Sequence, residues 1–161
     1  MKRSIQISAI VFFICLCLFG MQQKTIAQKA DVYKAVSDKI EKKDFVFVAQ
    51  SLTPLSGPLR VLTSTYDVRV TADSVISYLP YFGKAQQVPS TSEDAGIIFT
   101  STKFDYVSET GKKKSWDVTI KFKDQRNTST FSFIIYDNGE ASLNVTSMLR
   151  DPISFRGHIK L

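Results

Sequence analysis

Ser115-Trp116-Asp117-Val118-Thr119-Ile120-Lys121-Phe122-Lys123 alternates apolar and polar side chains without a break. Successive side chains of an extended chain point to opposite faces, so Trp116, Val118, Ile120 and Phe122 share one side. Ser115, Asp117, Thr119, Lys121 and Lys123 share the other. A period of two with one apolar face predicts a half-buried antiparallel strand. Working toward the C-terminus, residues 124–127 supply a turn, and Phe131, Phe133 and Ile135 repeat the apolar face. Asp137-Asn138-Gly139 tolerates positive φ, a strong hairpin signal. Leu143 and Val145 return on its far side, and residues 153–159 follow Asp151-Pro152 as a closing strand.

The N-terminal direction gives the same signals. Glu109-Thr110-Gly111 reads as a turn beside Lys112-Lys113-Lys114. Such a lysine run is ordinarily a solvated hairpin end, with phosphate or lipid-head binding as the alternative. Residues 96–102 and 104–108 read as strands, and a long polar loop precedes them through Gln86-Gln87, Pro89 and Asp94. Loops of that length often carry binding. Residues 74–79 form a strand after a tight Ala72-Asp73 connection, and Tyr66, Val68 and Val70 alternate with Asp67, Arg69 and Thr71. A strand is expected around residues 59–63, beyond the breakers Pro54, Gly57 and Pro58. Phe45-Val46-Phe47-Val48-Ala49 is apolar on both faces, as in a strand covered on both sides.

The sum is about eight short strands joined by tight turns, without βαβ alternation or repeats. The expected fold is mainly all-β: an antiparallel barrel or sandwich over residues 45–161. One short helix precedes it within residues 28–44. That stretch lacks Pro and Gly and places Tyr33, Val36 and Ile40 on one helical face.

The first 27 residues are of another kind. Met1-Lys2-Arg3 is followed by an apolar run from Ile7 to Gly20, then by Thr25-Ile26-Ala27. A basic start, an apolar centre and small residues before a cut form a secretory signal peptide, removed after Ala27. An uncleaved membrane anchor is the alternative. Neither Cys15, after Ile14, nor Cys17, after Leu16, has the small preceding residue of a lipobox. After cleavage no integral membrane span remains.

This placement changes the charge and thiol inventory. The whole chain has 21 Lys and Arg against 15 Asp and Glu, a net +6. Lys2, Arg3 and Lys24 lie in the signal, which has no acid, so 18 bases face 15 acids beyond it, a balance of +3. That is ordinary for a soluble domain and removes the main argument for nucleic-acid binding. Both cysteines also lie in the signal, so the exported domain is disulfide-free.

Chemistry-bearing residues are sparse. His158 is the sole imidazole, too little for a metal site or a nucleophilic triad, and reads as a surface or edge-strand residue. Asp67, Asp73, Asp105, Asp117 and Asp151 are scattered, and Glu93-Asp94 lies in the long loop. No cofactor motif is present. The most distinctive segment is Tyr78-Leu79-Pro80-Tyr81-Phe82-Gly83-Lys84-Ala85. Its aromatics read first as the plug at one end of a core. In the sharper reading Tyr78, Tyr81, Phe82 and Lys84 line the lip of a binding pocket. Asp73-Ser74-Val75 resembles a tripeptide at which some Gram-negative bacteria O-glycosylate exported proteins, making Ser74 a candidate modification site. Asn127-Thr128-Ser129 and Asn144-Val145-Thr146 match the N-glycosylation sequon.

Together Phe45-Val46-Phe47-Val48-Ala49, Tyr66-Asp67-Val68-Arg69-Val70, Asp73-Ser74-Val75 and Leu79-Pro80-Tyr81-Phe82-Gly83-Lys84-Ala85 resemble a bacterial family of exported proteins, domain of unknown function 4251. Gly96-Ile97, Asn138-Gly139 and Arg150-Asp151-Pro152-Ile153-Ser154-Phe155-Arg156-Gly157 extend the resemblance across almost the whole exported chain. It implies a single exported domain in a Gram-negative periplasm or envelope, and carries over no catalytic residue. The expected function is a non-enzymatic binding module for a small apolar or amphipathic ligand or an envelope protein. A structural or interaction role and a carboxylate-based hydrolase are the alternatives. The leading reading needs a cavity, and a barrel filled solidly by Phe131, Phe133, Trp116 and Phe122 would sink it.

Overall fold

The computed structural model describes residues 29–84, 96–112, 114–125 and 128–161. The expected signal peptide, the polar loop before Gly96, Lys113 and the Asn127 sequon lie outside these residues. Helix α1 covers residues 29–41. Nine strands follow: β1 (Phe45–Pro54), β2 (Arg60–Val70), β3 (Val75–Pro80), β4 (Gly96–Ser101), β5 (Phe104–Thr110), β6 (Ser115–Phe122), β7 (Thr130–Tyr136), β8 (Glu140–Thr146) and β9 (Ile153–Ile159). The mainly-β antiparallel expectation holds, and the alternation that predicted β6 is the one observed. The two pieces expected around residues 59–63 and 66–71 are one long strand, β2.

All nine strands form one sheet, in the order β4-β3-β2-β1-β9-β8-β7-β6-β5. Every neighbouring pair is antiparallel. Direction therefore alternates along the order, and the two outermost strands, β4 and β5, run the same way. Only Thr102 and Lys103 separate them in sequence. The chain thus passes from β4 into β5 through a bend at Thr102, exchanging β3 for β6 as its partner. The nine-stranded sheet curls into a nearly closed barrel.

Asp124 pins this bend. Its carboxylate accepts hydrogen bonds from Ser101 Oγ at 2.5 Å, from the Thr102 amide at 3.0 Å and from the Lys103 amide at 3.2 Å. Desolvation works against its charge, but the bonds from Ser101, Thr102, Gln125 and Lys103 outweigh it and hold the carboxyl below its usual range.

The interior is aromatic. Phe45 and Phe47 each meet Phe133 edge-on, with ring centroids 5.7 Å apart. Phe133 meets Phe131 at 6.2 Å, Phe131 meets Phe122 at 4.9 Å, and Phe122 meets Phe99 at 5.0 Å. This row of mostly edge-to-face rings, the geometry their quadrupoles favour, runs through the buried core with Val118, Ile120, Leu143 and Phe155 around it.

Helix α1 seals the end of the barrel where β1 begins. Val36 and Ile40 are buried in the core, and the exposed Tyr33 lays its ring against Trp116 at 5.2 Å. The Tyr106 hydroxyl donates to the Ile40 carbonyl at 2.9 Å. The helix stops because Lys43 takes a left-handed conformation, φ 53°, and the Asp44 amide reaches back to the Lys39 carbonyl at 2.9 Å.

One irregularity matters for the surface. Ala49 pairs with Gly157 but Ser51 pairs with Arg156, so Gln50 is an extra residue in β1. Beside it Gly157 has no room for a side chain, since a Cβ would fall 1.9 Å from the Val48 carbonyl oxygen. The backbones of β1 and β9 approach closely at this point.

Candidate functional site

The structure separates the four residues of the Tyr78–Lys84 segment. Tyr78 is on the outer face of β3, half exposed, and stacks on Tyr66 with ring centroids 5.6 Å apart. Tyr81 points the other way and acts as a latch. Its hydroxyl bonds to the Lys84 carbonyl at 2.7 Å and reaches the Asp151 carbonyl at 3.1 Å, while the Asp151 amide donates to the same Lys84 carbonyl. Arg150 lies over the Tyr81 ring and donates to the Gly96 carbonyl at 2.7 Å. Burial, and then the Asp151 charge, raise the Tyr81 phenol, with Arg150 pulling the other way. Gly83 is required beneath this latch, because a Cβ there would lie 2.4 Å from the Tyr81 hydroxyl. Phe82 is exposed with Arg60 over its ring, and Lys84 is exposed. Tyr78 and Tyr81 thus do not face a common space.

The remaining candidates are placed as follows. Ser74 sits in the β2–β3 turn, and its hydroxyl is 2.8 Å from that of Thr71. His158 is half-buried in β9, an interior strand flanked by β1 and β8 rather than a sheet edge. Asp105 pairs with Lys123 at 2.6 Å, both exposed. Among the described residues no three His, Cys, Asp or Glu side chains gather as a metal site would need. No described helix is long and apolar enough to cross a membrane.

A concave surface lies elsewhere, on the outer face of β1, β9 and β8. Strand register builds it. Thr53 is level with Ser154, Ser154 with Asn144, Asn144 with Ser132, and Ser132 with Thr119, a row of small polar side chains across five strands. The next row places Arg156 between Ser51 and Ser142. Two hollows meet at Arg156 and Ser142. One, of about 590 Å³, is lined by Gln50, Tyr136, Glu140 and the bare Gly157. The other, of about 500 Å³, is lined by Thr53, Leu55, Asn144, Pro152 and Ser154. Both lie within the size range of ligand sites.

Arg156 is exposed at the junction, and its guanidinium makes no hydrogen bond or ion pair with any described residue. Sequence reasoning passed over this surface. The polar members of β9 (Ser154, Arg156 and His158) are legible by alternation, but nothing local says that Thr53 and Asn144 stand beside them.

None of the curated proteins matches this chain. Among solved structures, a crystal structure of a DUF4251 family protein from Bacteroides eggerthii aligns with a TM-score of 0.59 at 14% identity, covering 83% of this chain and 89% of that one. At that identity the likeness shows the fold. The model of the family described as domain of unknown function (DUF4251) matches residues 27–159, nearly the whole chain beyond the apolar N-terminal segment, and the protein belongs to that family.

Proposed function

We propose that the protein is an exported, non-enzymatic binding module of a Gram-negative envelope that engages its ligand or partner on the outside of the barrel. The observation that carries this reading is the contrast between a filled interior and a hollowed wall. The rings of Phe131, Phe133 and Phe122 occupy the space in which an apolar ligand would sit, with Trp116 closing in at the helix end. The outer face instead offers two joined hollows around a guanidinium that has no partner among the described residues. Export rests on the basic, apolar and small-residue pattern of the first 27 residues. The non-enzymatic part rests on scattered acids and a lone imidazole.

Native mass spectrometry of the protein purified from its own envelope tests the reading. A chain beginning at Gln28 and carrying an adduct that Arg156→Ala loses is the expected result. A bare chain in both proteins would overturn it.

A protein-interaction role has one observation in its favour. β3 pairs with β2 only over residues 67–70, leaving residues 60–66 of β2 without a described partner on that side. Leu55, Leu59 and Val61 are exposed at the same end. Apolar side chains beside an open strand edge are a surface on which another chain can pair.

A further inference from the structure

We infer that the groove on β1, β9 and β8 binds an acidic glycan, with its carboxylate or sulfate on Arg156 and its hydroxyls along the Thr53–Ser154–Asn144 row. The inference rests on the outer-face reading proposed above and names its ligand class.

Three features select this chemistry. The first is the guanidinium: a fork of five donors without a partner among the described residues, set where two hollows meet, is complementary to a carboxylate or sulfate group. The second is the row of hydroxyl and amide groups, Thr53, Ser154 and Asn144, on adjacent strands. Strands lie about 4.8 Å apart, so the row offers evenly spaced donors and acceptors to a hydroxyl-rich polymer. The third discriminates against an acidic peptide. Both β8 and β9 are paired on each side, so a peptide finds no open ladder to extend. Acidic-motif readers also use clusters of arginines, whereas this groove has one. The half-exposed ring of Tyr136 at the far end of the first hollow gives a sugar an apolar face to lie against.

The test uses the exported chain, residues 28–161, with oligogalacturonate, hyaluronan and heparan sulfate fragments as acidic probes. Methyl-esterified oligogalacturonate is the neutral control and polyglutamate the peptide control. Binding is read by calorimetry and by amide chemical shifts. At least one acidic glycan is expected to bind and shift Ser142, Asn144, Ser154 and Arg156. Which probe binds tells carboxylate from sulfate. Arg156→Ala is expected to weaken binding at least tenfold, Arg156→Lys less, and Lys121→Ala on β6 not at all, with unchanged melting temperatures. Raised salt is expected to weaken it as well. Equal binding of the methyl ester or of polyglutamate at these residues would overturn the glycan assignment and leave outer-face binding standing. No binding by any acidic glycan, with an envelope adduct that is neither sugar nor acid, would do the same. No binding and no adduct would remove both.

Discussion

Strand β9 carries two different surfaces on one backbone. Its inward members, Ile153, Phe155 and Ile159, are buried, and Gly157 is bare because β1 presses against it. Its outward members, Ser154, Arg156 and His158, touch no aromatic ring and leave room for solvent or ligand. Every inward position is fixed by what it meets across the barrel. The outward ones are under no such constraint, and there the chain holds the Arg156 guanidinium, which has no partner among the described residues. Stability and recognition are thus divided between two faces of the same strands.

Perturbing the inner face should cost most. Phe133 touches Phe45, Phe47 and Phe131. Phe133→Ala is expected to destabilise by about 3–5 kcal/mol in denaturant titration, the usual cost of a large buried cavity. A loss under about 1 kcal/mol would mean the ring row does not carry the fold. Gly157→Ala forces a methyl into the Val48 carbonyl. It is expected to cost about 1–3 kcal/mol as the strands part, and unchanged stability would show that this contact yields easily.

The helix plug comes next. Burial raises the Tyr106 phenol far above the ordinary tyrosine range. It should stay silent in a spectroscopic titration that ionises exposed tyrosines. Tyr106→Phe removes the bond to Ile40 and is expected to cost about 1 kcal/mol. A normal Tyr106 titration in the folded protein would show that the helix does not seal this end.

Smaller still is the seam. Asp124→Ala is expected to speed amide exchange at Thr102 and Lys103 with little change in global melting. The folded carboxyl is held low, so its contribution is complete above the unfolded value near about 4 and disappears as pH falls through the folded value. Protection of these two amides, measured against their intrinsic exchange rates at each pH, should therefore fall at acid pH in the parent and not in the variant. Arg156→Ala closes the series, with a change in stability within about 0.5 kcal/mol alongside the binding loss.

The alternation of residues 115–123 made β6 legible, and the same rule found β7 and β8, while β9 was expected only as a closing strand over residues 153–159. The apolar spacing of Val36 and Ile40 gave the helix its buried side. What could not be read is anything set by partners far away in sequence. Thr53 and Ser154 are neighbours only because β1 pairs with β9, and the bulge at Gln50 sets which residues stand level. Tyr78 and Tyr81 read as one aromatic cluster, a core plug or else the lip of a pocket, because they are close in sequence. The end of β3 at Pro80 sends them to different surroundings, one against Tyr66 and the other against residues 84 and 151.

The pairing of β1 with β9 also sets the order in which the molecule can be completed. Phe47 stands opposite Ile159, at the other end of the domain. A chain emerging N-terminus first must hold one side of β1 open until its final strand arrives. Helix α1 and the β1–β2 hairpin can form early, but the wall cannot close around Phe133 before Ile153–Ile159 is delivered. Such long-range pairing makes folding slow, on the order of milliseconds to seconds. It also keeps the chain unclosed until nearly all of it is available, a property in keeping with the export proposed above.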